Sequence, residues 1–211
     1  KCPYCDFNSH LPKHGQSYER YTAAVQRELA VRLPELAGHR LVSIFFGGGT
    51  PSLWDPQAVA AIIEQIGKAL GPAAEVTLEA NPGAVERGAL QDFKAAGINR
   101  VSMGVQSLDD RLLKRLGRVH NRAEALAALE KIQETGFDSH SIDLIYAIPE
   151  QTPEQWAETL RQVVSLETPH VSAYNLTYEP GTLMNTWKEA GKLNVVAEDD
   201  EAVMFEQTYA T

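Results

Sequence analysis

Five short runs rich in apolar and β-branched residues recur along the chain: Leu41–Phe46, Glu75–Leu78, Arg100–Val105, Ser141–Tyr146 and His170–Leu176. Their length and composition predict strands. Between and before them lie amphipathic stretches that predict helices over Ser17–Leu33, Pro56–Leu70, Val85–Ala96, Arg122–Thr135 and Pro153–Leu166. Asp55 before Pro56, and Thr152 before Pro153, read as N-caps followed by proline at the first helical position. Gly71, Gly97 and Gly136 stand where the preceding helices must stop. Strand and helix alternate throughout, which predicts an α/β fold with a parallel sheet, open or curled into a barrel. Leu11–Gln16 reads as a short loop. Beyond Tyr178 the rhythm changes to a Gly- and Pro-containing connection, Glu179–Asn194, and then a helical run from Glu198.

At 211 residues, with 44% hydrophobic and 22% charged residues, the chain has the composition of a globular protein able to bury a sizeable core. No apolar run approaches the roughly 18 residues of a membrane span, and no secretory leader is visible. The net charge of −9 and the lack of any Lys/Arg cluster argue against a nucleic-acid partner. The 2 cysteines do not make a secreted disulfide framework, so a cytoplasmic protein is expected.

Ligands of parallel α/β folds sit beyond the carboxyl ends of the strands, so the residues at those ends carry the candidate chemistry. The first strand runs into Gly47-Gly48-Gly49-Thr50-Pro51, which reads as a ligand loop or as a flexible strand–helix turn. No Gly-Lys-Ser/Thr follows, and no GxGxxG is present, so it is neither a P-loop nor a dinucleotide fingerprint. Glu79 and Asp143 fall where strands should be buried, which requires either salt bridges or a polar pocket. With Gln106 on an intervening strand they suggest one pocket on a shared face. Arg118 could reach that pocket to bind a carboxylate, or be a solvated helix-end arginine.

The 6 histidines show no metal-ligand spacing. His10, His14 and His39 read as loop surface, His120 and His140 as residues following turns, and His170 as the start of a strand. Trp54, Trp156 and Trp187 read as packing residues. The opening Cys2-Pro3-Tyr4-Cys5 fits a redox dithiol of the glutaredoxin kind, or part of an iron–sulfur ligand loop.

Taken in order, CPYCDFNSH, FFGGGTPSL, LEANP, RVSMGVQS, LLKRLGRVHN and DLIYAIPEQT resemble the radical S-adenosylmethionine (SAM) superfamily. Within it they are similar to the branch of oxygen-independent coproporphyrinogen III oxidases and their heme-chaperone relatives. The resemblance runs from Lys1 to about Tyr178. It implies a partial (β/α)6 TIM-like barrel lacking its first strand here, with a radical SAM core over residues 1–178. Residues 179–211 would form a connection and first helix toward a missing C-terminal domain.

The family holds a [4Fe–4S] cluster on three cysteines spaced C-x3-C-x2-C. Cys2 and Cys5 match the second and third, and the first would lie upstream of Lys1. In the family an electron from the cluster cleaves SAM to a 5′-deoxyadenosyl radical. Carried over by position, Tyr4 would lean against the adenosine, and Gly48, Gly49 and Thr50 would line the methionyl amino group. Glu79, Gln106 and Asp143 would serve ribose and methionine polar groups, while Arg118 would pair with the carboxylate.

The oxidases keep a further cysteine two residues after the third cluster ligand, where this chain has Phe7. That difference resembles the chaperone branch. It implies heme as cargo, apo-hemoproteins as recipients and an electron donor of flavodoxin or ferredoxin type. The alternative reading is a radical SAM decarboxylase of coproporphyrinogen III, and a third class is a thiol–disulfide oxidoreductase using Cys2 and Cys5. No histidine is assigned as a heme ligand.

Overall fold

The strands β1 (Ser43–Phe46), β2 (Glu75–Ala80), β3 (Arg100–Gln106), β4 (Ser139–Tyr146) and β5 (His170–Asn175) pair side by side in chain order, every pair parallel. They belong to a computed structural model that describes residues 1–8, 17–85 and 90–211. The loop expected at Leu11–Gln16, the residues His10 and His14, and positions 86–89 of the expected helix Val85–Ala96 lie outside the described residues. Helices α1 (Tyr18–Arg32), α2 (Pro56–Leu70), α3 (Pro82–Val85), α4 (Leu90–Ala95) and α5 (Asp110–Arg115) occupy the first half of the chain. α6 (Arg122–Thr135), α7 (Pro153–Ser165), α8 (Leu183–Glu189) and α9 (Glu198–Ala210) follow.

A parallel sheet wound in strict chain order differs from a doubly wound one. Crossovers between parallel strands are right-handed as a rule, which places successive connecting helices on the same face. The result is an arc of the barrel type, a partial TIM-like barrel. Alternation along the strands then separates two environments. Val76, Leu78, Val101, Met103, Val105, Ile142 and Leu144 are buried on the helix-covered face. The intervening positions Thr77, Glu79, Ser102, Gly104, Ser141 and Asp143 make the opposite face polar. Register aligns Glu79 with Ser102, Ser102 with Ser141, and Gly104 with Asp143.

Two cores lie under the helices. Val59 and Ile62 of α2 and Phe93 of α4 pack on β1 and β2. Ala125, Ala128, Leu129 and Ile132 of α6, with Trp156, Leu160 and Val163 of α7, pack on β3 and β4. A third cluster sits at the carboxyl end of the sheet, where Leu112 of α5, Leu116 just after it and Met184 of α8 meet Ile145, Ile148 and Leu176.

The caps form as the sequence predicts. Asp55 accepts from the Gln57 N–H, and Thr152 makes a reciprocal capping box with Gln155. Gly136 ends α6 in the left-handed conformation. The Gly- and Pro-containing connection expected over Glu179–Asn194 contains α8. Thr182 caps it, accepting from the Asn185 N–H, and Met184 anchors it in the third cluster. A seven-residue helix shows too few turns for its period to be read from sequence. α5 went unread for the same reason. Among the described residues no helix is long and apolar enough to cross a membrane.

Trp156 ties the last helix to the sheet. Its ring lies 5.3 Å from that of Tyr146, and its Nε1 donates to the Met204 carbonyl and to Thr208 Oγ1 of α9. The residue is fully buried. Trp156→Ala is expected to cost about 4 kcal/mol of folding free energy through the cavity and the orphaned acceptors. Val164→Ala, at an exposed position of the same helix, is expected to change stability by less than about 0.5 kcal/mol. Urea denaturation of the two variants checks the contrast.

Candidate functional site

The polar face of the sheet meets the chain's opening turn at the carboxyl ends of β1 to β4. Cys2 and Cys5 sit on that turn, closed by the Cys5 N–H donating to the Cys2 carbonyl at 3.2 Å, and neither forms a disulfide. The turn is held from two sides. Met184 N–H of α8 donates to the Pro3 carbonyl at 2.9 Å. Gly117 lies beneath Pro3 so closely that a Cβ there would sit 2.6 Å from Pro3 Cδ, and its φ of +68° is left-handed as well. No side chain fits that position without moving the cysteine turn.

Arg118 organises the site. Its Nη1 lies 3.7 Å from Cys2 Sγ and 3.4 Å from the Tyr4 hydroxyl. Its Nη2 donates to the Gly104 carbonyl at 3.0 Å and to Asn81 Oδ1. Nε is buried without a partner. Among the described residues Arg118 makes no ion pair with a carboxylate. A half-buried cation therefore stands among uncharged oxygens and a cysteine sulfur, with one N–H unused. That arrangement favours an incoming anion.

The carboxylates Glu79 and Asp143 lie on the same polar face of the sheet and have partners of their own. Glu79 Oε2 accepts from the Gly48 N–H at 2.8 Å. Burial pushes the Glu79 carboxyl up, opposed by the Gly48 hydrogen bond and reinforced by the charge of Asp143. Asp143 accepts from Ser102 Oγ at 2.9 and 3.0 Å, and Ser141 Oγ in turn donates to Ser102. Burial also raises Asp143, against hydrogen bonds from Ser102 and Ser172. Burial lifts the Tyr4 phenol to about 12, although Arg118 beside it pulls the other way.

The structure thus brings Cys2, Tyr4, Gly48, Thr50, Glu79, Gln106 and Arg118 to one end of the polar face. Thr50 is linked through Asn81, whose Nδ2 donates to Thr50 Oγ1 at 3.3 Å. Thr50 Oγ1 itself donates to the Gly49 carbonyl at 2.7 Å. Gln106 adopts a left-handed φ of +67° after a register shift between Gly104 and Gln106. Asp143 is slightly apart, on the serine network. A cavity of about 350 Å³, lined by both Cys2 and Cys5, opens between the cysteine turn and Pro180, Gly181, Thr182 and Leu183.

Two members of the site have no counterpart among the sequence candidates. Asn81 joins the glycine loop to Arg118. Gly104 provides both an acceptor and the space for its neighbours: a Cβ there would lie 2.7 Å from Gln106 Nε2 and 3.2 Å from Asn81 Oδ1. A lone glycine inside a strand signals close approach of other groups, and that signal was available at Gly104. His39 is exposed and His170 opens β5, as read from sequence, whereas His120 and His140 are buried. Trp54 packs on Tyr21 and Phe46.

The donor set suits an iron–sulfur centre in part. Two unpaired cysteines on one turn, bordered by an open cavity and faced by a guanidinium, fit two thiolate ligands. Among the described residues no group of three or more His, Cys, Asp or Glu side chains is gathered to hold a metal ion. The orphaned Arg118 Nε and the adjoining carboxylates fit a small zwitterion such as an amino-acid moiety.

The sequence profile of the radical SAM superfamily matches residues 1–163. Over 189 residues the chain is 42% identical to a heme chaperone, HemW, of Haemophilus influenzae, covering 87% of this chain and 49% of that protein. It is 40% identical over 211 residues to heme chaperone HemW of Escherichia coli, covering 98% of this chain and 54% of that one. The chain spans about half the length of these relatives. Among solved structures it superposes on coproporphyrinogen III oxidase (HemN) of Escherichia coli, a radical SAM enzyme. The TM-score is 0.80 at 26% identity, over 99% of this chain and 48% of that one. The chain belongs to the radical SAM superfamily, membership of which implies a [4Fe–4S] cluster and S-adenosylmethionine as cofactors.

Proposed function

We propose that this chain is the cofactor-binding part of a HemW-type heme chaperone, which holds a [4Fe–4S] cluster and SAM and passes heme to apo-hemoproteins. The observation that carries the reading is the contrast in likeness. Identity is 40% to the heme chaperone of Escherichia coli and 26% to the coproporphyrinogen III oxidase of the same organism. Phe7, exposed beside the cysteine turn, agrees with it, because the oxidase branch keeps a cysteine there. The high structural likeness to the oxidase supports a second reading, oxidative decarboxylation of coproporphyrinogen III. Cytoplasmic location and a flavodoxin- or ferredoxin-type electron donor complete the proposal.

When bound, the cluster and SAM supply one-electron cleavage chemistry. The residues of this chain position those groups. Cys2 and Cys5 would give two thiolates to iron. Arg118, already lacking an anionic partner, would take the SAM carboxylate through its fork of donors. An ammonium group needs acceptors, and Glu79 with the carbonyls of Gly48 and Gly49 supplies them beside Thr50. Gln106 and Asp143 would meet ribose hydroxyls, and the Tyr4 ring would rest against the adenosine. The Glu79 and Asp143 carboxyls, raised by burial, then suit groups whose partners arrive with the ligand.

That cause fixes the sign of a pH effect. Both groups hold protons in the folded state at pH values where the unfolded chain has released them. Their contribution is neutral below the unfolded values, about 4, and becomes unfavourable as pH rises through the folded ones. Asp143→Asn, whose amide oxygen still accepts from Ser102, is expected to raise the melting temperature of the ligand-free protein at pH 7. The gain should vanish near pH 4, and SAM binding should weaken. Melting curves across that range check it; a lower melting temperature at pH 7 would mean that the carboxylate supports the fold.

Hemin titration of the intact protein separates the two functional readings. The chaperone reading expects stoichiometric heme binding and transfer to an apo-hemoprotein, with no turnover of coproporphyrinogen III. Turnover at enzymatic rates without heme transfer would overturn it in favour of the decarboxylase.

A further inference from the structure

His120 is buried, and among the described residues its ring makes one hydrogen bond, to main chain: Nε2 lies 3.1 Å from the Val105 carbonyl. A carbonyl only accepts, so Nε2 carries the proton and Nδ1 is left bare, buried and without a partner. Burial and the neighbouring Arg118 charge keep the imidazole neutral by lowering its pKa. A polar ring placed this way loses hydration for a single bond. The worth of that bond depends on what Val105 does.

Val105 stands at an irregularity in the pairing of β3 with β4. On β3 the register steps from Gly104 to Gln106 while β4 advances only from Asp143 to Leu144, so an extra residue bulges out of the ladder. The Ser107 N–H turns back to the same Val105 carbonyl at 2.9 Å, closing a three-residue turn centred on Gln106. With Gln106 at φ +67°, this is the rarer and more strained form of the γ-turn. The strained residue is the one whose amide lies over Gly104, against Asn81 and the Arg118 guanidinium.

We propose that His120 is a positioning residue of this pocket: its Nε2–H pins the Val105 carbonyl, and the pin holds the strained turn that keeps the Gln106 amide in place beside Arg118. The proposal rests on reading the pocket as the SAM site. His120 touches no ligand and acts through Gln106. It also explains why a histidine with no metal-ligand spacing is buried two residues from Arg118. The ring stands in for a donor that the bulged ladder does not offer.

Two amides of different reach test it in the intact protein. The amide nitrogen of glutamine reaches the position of Nε2, whereas that of asparagine stops near Nδ1. SAM binding to anaerobically reconstituted protein is measured by calorimetry for the wild type, His120→Asn, His120→Gln, Gln106→Ala and the double variant His120→Asn/Gln106→Ala. His120→Asn is expected to weaken binding about tenfold, as loss of one buried hydrogen bond would. His120→Gln should restore most of the affinity. In the Gln106→Ala background His120→Asn should have little further effect, because the two residues form one unit. Hydrogen exchange of the Ser107 amide in ligand-free protein provides a second readout: faster in His120→Asn, near wild type in His120→Gln. Unchanged SAM affinity in His120→Asn, an equal loss in the Gln106→Ala background, or unchanged Ser107 exchange would each overturn the proposal. If the wild type fails to bind SAM while Ser107 exchange responds as expected, the pin stands and the SAM reading of the pocket falls.

Discussion

The Arg118 guanidinium is held by the Tyr4 hydroxyl, the Asn81 amide, the Gly104 carbonyl and the sulfur of Cys2, with Nε left bare. A cation removed from water without a carboxylate partner is costly, and a fold retains it when something else will complete it. Its four contacts come from the opening turn, which gives both Tyr4 and Cys2, from the end of β2 and from the strand β3, while Arg118 itself sits on the loop after α5. One side chain therefore fixes the cysteine turn relative to the strand ends. The glycines around it follow from the same demand, since Gly104 and Gly117 are where a Cβ would displace Gln106 or Pro3.

The architecture that makes this possible is the winding of the sheet. Five parallel strands in chain order leave one face to the helices and deliver their carboxyl ends, with their polar side chains, to one rim. Half-buried carboxylates at Glu79 and Asp143 oppose the stability of the empty fold, and the serine network from Ser141 through Ser102 moderates the cost only for Asp143. On the proposed reading, the ligand groups would offset that cost when they bind. Trp156 and the cores under α2, α6 and α7 supply the compensation elsewhere.

Much of this was legible in the chain itself. Helices α2 and α6 begin and end where the Pro56 and Arg122 patterns place them, because caps and glycine stops mark their boundaries. Glu79 and Asp143 stood out as charged residues inside strands. Short elements were not legible: α5 and α8 have too few turns to display a period, and tertiary anchors such as Met184 decide them. Gly104 carried a signal as a lone glycine inside a strand, but what it makes room for, and the roles of Asn81 and His120, were hidden for a related reason. Their roles lie in long-range contacts with Arg118, Gln106 and Val105, which no local spacing encodes.

The central claim is that an uncompensated guanidinium beside two cluster thiolates receives the carboxylate of SAM. The most direct test follows the charge-transfer absorption of the anaerobically reconstituted intact protein as SAM is added, in the wild type and in Arg118→Met. The wild type should show a broad iron–sulfur band that SAM perturbs. Arg118→Met should keep the band but need at least about tenfold more SAM for the same perturbation. An Arg118→Met protein that responds to SAM at wild-type concentrations would contradict the account.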